Sequence, residues 1–162
     1  MENLENTSRH DQQLDKIIRQ HTLSSIGVGF LPVPGMDLVS LLAIQSNMIR
    51  ELAAVYQIPF MKEAVKNILS SLIGKMLLAN AMPVLASIVK TVPLLGQGVG
   101  MATMPVTCGA STYAAGKVFI RHFESGGNLA NFDPDTMKAY YKEKLQEGKK
   151  IAQKLNDRER RK

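Results

Sequence analysis

Apolar residues recur along this chain at the three- and four-residue intervals of a helix. Leu14, Ile17, Ile18, His21 and Ser25 share one face of a helix that starts near Asp11. Residues 1–12 show no such period and read as a flexible leader. Leu38, Leu41, Leu42, Gln45, Met48, Ile49 and Leu52 repeat the pattern up to Tyr56, and Pro59 then punctuates the chain. A third helix is predicted from about Phe60, polar at Lys62, Glu63 and Lys66 and almost wholly apolar from Ile68 to Ala81. Pro83 opens a fourth segment, Val84 to Val92, which Pro93-Leu94-Leu95-Gly96 breaks. From Gly98 the chain turns to small residues, among them Gly100, Gly109, Ala110, Ala114 and Gly116, before an amphipathic end at Lys117–Phe123. Pro105 is expected to kink or interrupt that element. No run of β-branched residues alternates with polar ones, so no strand is predicted.

The last part has clear punctuation. Ser125-Gly126-Gly127-Asn128 reads as a loop, and Asp133-Pro134-Asp135 as a helix start, with Asp133 as N-cap and Pro134 at the first helical position. Met137, Tyr141, Leu145, Gly148, Ala152 and Leu155 then form one narrow stripe, suited to a groove in this molecule or in a partner. The expected fold is an all-α bundle of about five to six helices, two apolar hairpins plus an amphipathic C-terminal helix. Its divisions are a leader over 1–12, an apolar helical domain over 13–125, a loop over 126–132 and a helix with a basic tail over 133–162.

The stretch Gly27 to Asp37 joins the first two helices. Pro32 and Pro34 each fix φ and push the residue before them out of the helical region, so the chain must pass extended. Gly35 supplies freedom to turn back, and Asp37 falls in the first turn of the next helix, where the dipole favours a negative charge. Its other reading is a polar contact inside the bundle with Lys75 or Lys90. The stretch has a weak echo, since Ser25-Ile26 precedes Pro32-Val33-Pro34-Gly35 as Ser87-Ile88 precedes Pro93-Leu94-Leu95-Gly96. Gly29, Pro32, Pro34, Gly35, Asp37, Pro93 and Gly96 are therefore the motif residues, structural or partner-binding.

Charge and composition sharpen the picture. The formal net charge of +6 divides into −1 over residues 1–20, +3 over 21–132 and +4 over 133–162, so the basicity is mostly C-terminal. No acidic residue stands between Glu63 and Glu124, and no charge of either sign between Lys90 and Lys117. The single Cys108 forms no internal disulfide, and no secretory signal opens the chain, which points to a reducing, intracellular setting.

Catalytic constellations are not found. His10, His21 and His122 lie in separate elements without carboxylates or cysteine at metal-ligand spacing, and Cys108 lacks a basic neighbour. Neither Gly74-Lys75 nor Gly116-Lys117 completes a nucleoside triphosphate loop. No metal, cofactor or catalytic residue is expected, and the alternating charges of the C-terminal helix argue against nucleic acid.

The Pro-x-Pro-Gly-x-Asp core at Pro32 to Asp37, the apolar helix after it, the second elbow at Val92 to Gly100 and the small-residue helix to Phe123 together resemble the bacterial YcjF-type domain of unknown function. The resemblance covers about Ile17 to Glu124. It implies a domain often found after a GTPase domain in one polypeptide and commonly associated with the membrane. Because this chain shows no GTPase motif, the resemblance implies a GTPase supplied in trans, or self-association into a homo-oligomer. Neither long apolar stretch is a clean membrane span, since Lys75, Asn80 and Pro83 interrupt one and glycine, proline and hydroxyl residues dilute the other. The expected place is the cytoplasmic side of the inner membrane, peripheral or with one hairpin inserted. The readings left open are a non-enzymatic membrane-associated accessory domain, a soluble scaffold whose C-terminal stripe recruits a helix, and a small pore or transport component.

Overall fold

The structure is a computed structural model that describes the backbone of residues 2–30, 36–73 and 96–161, and the side chains of 6–30, 38–73 and 104–161. It is an all-α bundle, with no strand among the described residues. The helices are α1 (Glu2–Val28), α2 (Met36–Val55), α3 (residues 62–73), α4 (Gly96–Glu124) and α5 (Pro134–Glu159). The expected fourth segment, Val84 to Val92, and the elbow at Pro93 lie outside the described residues.

Side-chain pairs give the directions of the helices. His10 meets Tyr56 edge-on and His21 meets Asn47, so α2 runs antiparallel to α1. Asp15 pairs with Lys117, Ser25 with Thr112, and Gly29 approaches Pro105, so α4 is also antiparallel to α1. Tyr140 lies under Arg121, Glu147 meets Tyr113, and Gly148 abuts Ala110, so α5 returns along α4. Gln45 with Thr112 and Tyr56 with Glu124 make α2 and α4 parallel neighbours.

Helix α4 is therefore the axis of the bundle, touched by α1, α2 and α5. That position explains its sequence. Every residue from Cys108 to Gly116 is buried, which leaves no polar face and hence no amphipathic period. Small residues such as Ala110, Ala114 and Ala115 let three helices crowd round it, and the larger Val118, Phe119, Ile120 and Phe123 fill the wider end. Val65, Ile68, Leu69, Leu72 and Ile73 of α3 bury into the same core.

The helix ends follow from local chemistry. The Asp133 carboxylate accepts from the Asp135 amide at 2.9 Å, with Pro134 next, which is the cap the sequence predicts. Helix α2 ends in a Schellman turn. The Ile58 amide donates to Ala53 O at 2.8 Å and the Gln57 amide to Ala54 O at 3.1 Å, with Gln57 at φ 56° where glycine is usual. In the α4–α5 loop, His122 Nε2 donates to Asn128 O at 2.9 Å and to Asn131 Oδ1 at 3.1 Å, while its ring meets Phe132 edge-on.

Two elements differ from the sequence reading. The leader expected over 1–12 is helical from Glu2, although residues 6–9 and 11–13 stay exposed. The packed turns after Leu14 nucleate a helix that then extends back through weak helix formers such as Asn6, Thr7 and Ser8, and the His10–Tyr56 ring contact at 5.2 Å secures its first half. Helix α4 also continues through Pro105, so of the kink or interruption expected there the interruption does not occur. Packing from α1 against the backbone at Pro105 holds a turn that a lone proline would disfavour.

Candidate functional site

The elbow motif is only partly placed. Helix α1 stops where the Gly29 amide donates to Ser25 O at 3.1 Å and the Phe30 amide to Gly27 O at 3.2 Å. A Cβ on Gly29 would stand 2.5 Å from Pro105 Cα and 2.7 Å from its nitrogen, so the backbones of α1 and α4 meet with no room for a side chain. Pro32, Pro34 and Gly35 lie outside the described residues, as do Pro93 and the lysines considered as partners of Asp37, Lys75 and Lys90. Asp37 is in the first turn of α2 and Gly96 is the first residue of α4, both described by backbone alone. Among the motif residues, then, the structure shows a tertiary contact for Gly29.

The elbow end exposes apolar surface. Phe30 is 44 % exposed and Val39 66 %, with Leu38 and Met104 exposed beside the same turn. The Arg160 guanidinium at the end of α5 stands 6.0 Å from the Phe30 ring centre, at the outer reach of a cation–π contact. Large apolar side chains at one end of a bundle, with an arginine near Phe30, make an amphipathic surface.

Beneath it runs a buried seam of polar groups. Ser25 Oγ and Thr112 Oγ1 share a hydrogen bond of 2.7 Å, and Gln45 Nε2 donates to Thr112 Oγ1 at 3.1 Å and to Ser111 Oγ at 3.2 Å. Ser111 Oγ and the Tyr141 hydroxyl are 2.9 Å apart. The seam thus joins α1, α2, α4 and α5 in one register, and a slip of any helix would leave several of these groups unpaired in an apolar interior. Ser25, Gln45 and Tyr141 lay on the predicted inward faces. Their partners Ser111 and Thr112 did not stand out, because α4 has no period from which an inward face can be read.

Burial pushes the Tyr141 hydroxyl up to about 12, against which its hydrogen bond with Ser111 acts only weakly. Tyrosine is neutral when protonated, so a raised value stabilises the fold below pH 10 and is lost as pH rises from 10 to 12. Tyr113, raised by burial and by its 2.6 Å hydrogen bond to Glu147, adds to the same alkaline loss. Denaturant titrations between pH 8 and 12 will show Tyr141→Phe losing less stability than the parent chain over that window, by roughly 2 kcal/mol. Equal losses in both chains would place the Tyr141 hydroxyl in water.

The histidines serve packing. His21 Nδ1 donates to Ile17 O at 2.9 Å, and its Nε2 accepts from Asn47 Nδ2, which also donates to Glu51 Oε1. No cluster of three potential metal ligands occurs among the described residues. Cys108 is buried. One helical stretch among the described residues, Leu38–Val55, is long and apolar enough to cross a bilayer, yet it buries Gln45, Met48, Ile49 and Leu52 in the bundle.

An all-α bundle with a polar seam and an apolar, arginine-flanked end is the class of protein that fold and site define. The chain belongs to the family described as a domain of unknown function, DUF697, whose model matches residues 2–150, in agreement with the resemblance drawn from the elbow motifs. It is 36 % identical over 149 residues to "Magnetosome membrane protein 22" of Magnetospirillum gryphiswaldense, which spans 91 % of this chain and 76 % of that protein. No solved structure gives a significant match.

Proposed function

We propose that this chain is a non-enzymatic helical accessory domain that docks on a membrane through the elbow end. The observation that carries the reading is the exposure of Phe30, Leu38, Val39 and Met104 at one end of the bundle, with Arg160 near Phe30. Such a surface buries apolar groups at the acyl boundary while the cation faces anionic headgroups. The relative's name, a membrane protein of the magnetosome, supports the same setting. A GTPase supplied by another chain, or a second copy of this one, is the partner in this reading, since the sequence shows no complete nucleoside triphosphate loop.

The soluble-scaffold alternative assigned partner capture to the stripe on the last helix. Tyr141, Leu145, Gly148 and Ala152 of that stripe are buried on α4, which leaves it little surface to offer.

Co-flotation with phosphatidylglycerol vesicles tests the proposal. The parent chain is expected to float, and Phe30→Ser with Val39→Ser to bind on the order of tenfold more weakly for each apolar side chain removed. Flotation unaffected by both substitutions would reject the elbow end as the docking surface. A GTPase recovered in stoichiometric amount with the chain from native membranes would support a partner in trans, and recovery of the chain with itself alone would support self-assembly.

A further inference from the structure

Between α1, α4 and α5 lies an open cavity of about 610 Å³. Its charged wall holds Arg19 from α1 and Lys154, Arg158 and Arg161 from the end of α5, against Asp15 and Asp157. Asp15 is already engaged by the Lys117 ammonium at 3.1 Å, and Asp157 accepts from Gln153 at 3.3 Å. None of the four cations has an ion pair among the described residues, although Glu159 lines a smaller recess beside Arg19 and Arg158. Ile18, Ile151, Leu155 and Tyr113 give the cavity an apolar side as well.

We infer that this cavity binds a phosphate-bearing amphiphile, with the phosphate held by Arg19, Lys154 and Arg158 and the apolar body lying on Ile18, Ile151 and Leu155. Guanidinium groups suit phosphate oxygens because they donate in pairs. The net positive wall excludes a neutral ligand as the preferred occupant, and the apolar side gives a bare anion nothing to bury. The ligand class is therefore an anionic phospholipid or a similar phosphorylated lipid. The inference does not depend on docking through the elbow end, which uses other residues.

Calorimetric titration of the full chain with dihexanoyl phosphatidic acid, below the concentration at which it forms micelles, tests this without any membrane. Saturable binding of one lipid per chain is expected, weakened at least tenfold by Lys154→Gln with Arg158→Gln. Dihexanoyl phosphatidylcholine should bind at least tenfold more weakly, and so should inorganic phosphate. Phosphate binding as tightly as the lipid would overturn the amphiphile, and lipid binding indifferent to the lysine and arginine substitutions would overturn the site.

Discussion

Replacing Phe119 by alanine will lower the free energy of unfolding by about 3–5 kcal/mol, a large share of what a domain of this size possesses. The side chain is fully buried, its ring stacks on Phe132 at 4.7 Å with planes 19° apart, and it meets Phe123 at 5.8 Å. Truncation leaves a cavity that rigid neighbours on α4 cannot close, since Val118 and Ile120 belong to the same helix and Phe132 is anchored by its loop. That loop should loosen as well, because Phe132 also carries the edge contact with His122, which ties down Asn128 and Asn131. Urea denaturation should show a lower midpoint with an unchanged slope, and proteolysis should find new cuts near Asn128. A loss under about 1 kcal/mol would mean that the Phe119–Phe132 stack is not the hub of the α4–α5 corner.

Two glycines with one residue between them will respond to alanine with opposite signs. At Gly29 the added methyl meets the Pro105 backbone at 2.5 Å, and neither backbone can retreat without opening the α1–α4 crossing, so Gly29→Ala should destabilise by about 2–3 kcal/mol. At Gly27 nothing lies within 4 Å of the new Cβ, and the residue is helical. There alanine only reduces the freedom of the unfolded chain, and Gly27→Ala should stabilise by up to about 1 kcal/mol. Thermal unfolding of the two variants beside the parent decides the matter. Matching signs would show that local backbone preference, and not the approach of α4, governs this turn.

These cases mark how far the sequence could be read. The period of three and four identified α1, α2 and α5, and the Asp133-Pro134 pair located the start of α5, because capping is a short-range matter between neighbouring residues. Tyr141, Leu145, Gly148 and Ala152 were legible as an inward stripe. Asn156 was missed. It takes the buried position one turn beyond Ala152, where the predicted stripe continued through Leu155, and a one-residue drift of a 3.6-residue period cannot be read from hydrophobicity when the inward residue is polar.

By itself, the sequence determined the class of fold, the capped start of the last helix and the family. All of these rest on residue type and local spacing. Only the tertiary structure decided that Gly29 is a contact glycine while Gly27 is not, that Ser25, Gln45 and Tyr141 meet on Ser111 and Thr112, and that Arg19 faces Lys154 and Arg158 across one cavity. The reason is that each of these depends on which helix arrives from elsewhere in the chain, at what register and how closely, and an element buried on all sides, as α4 is, has no periodic face from which to announce its partners.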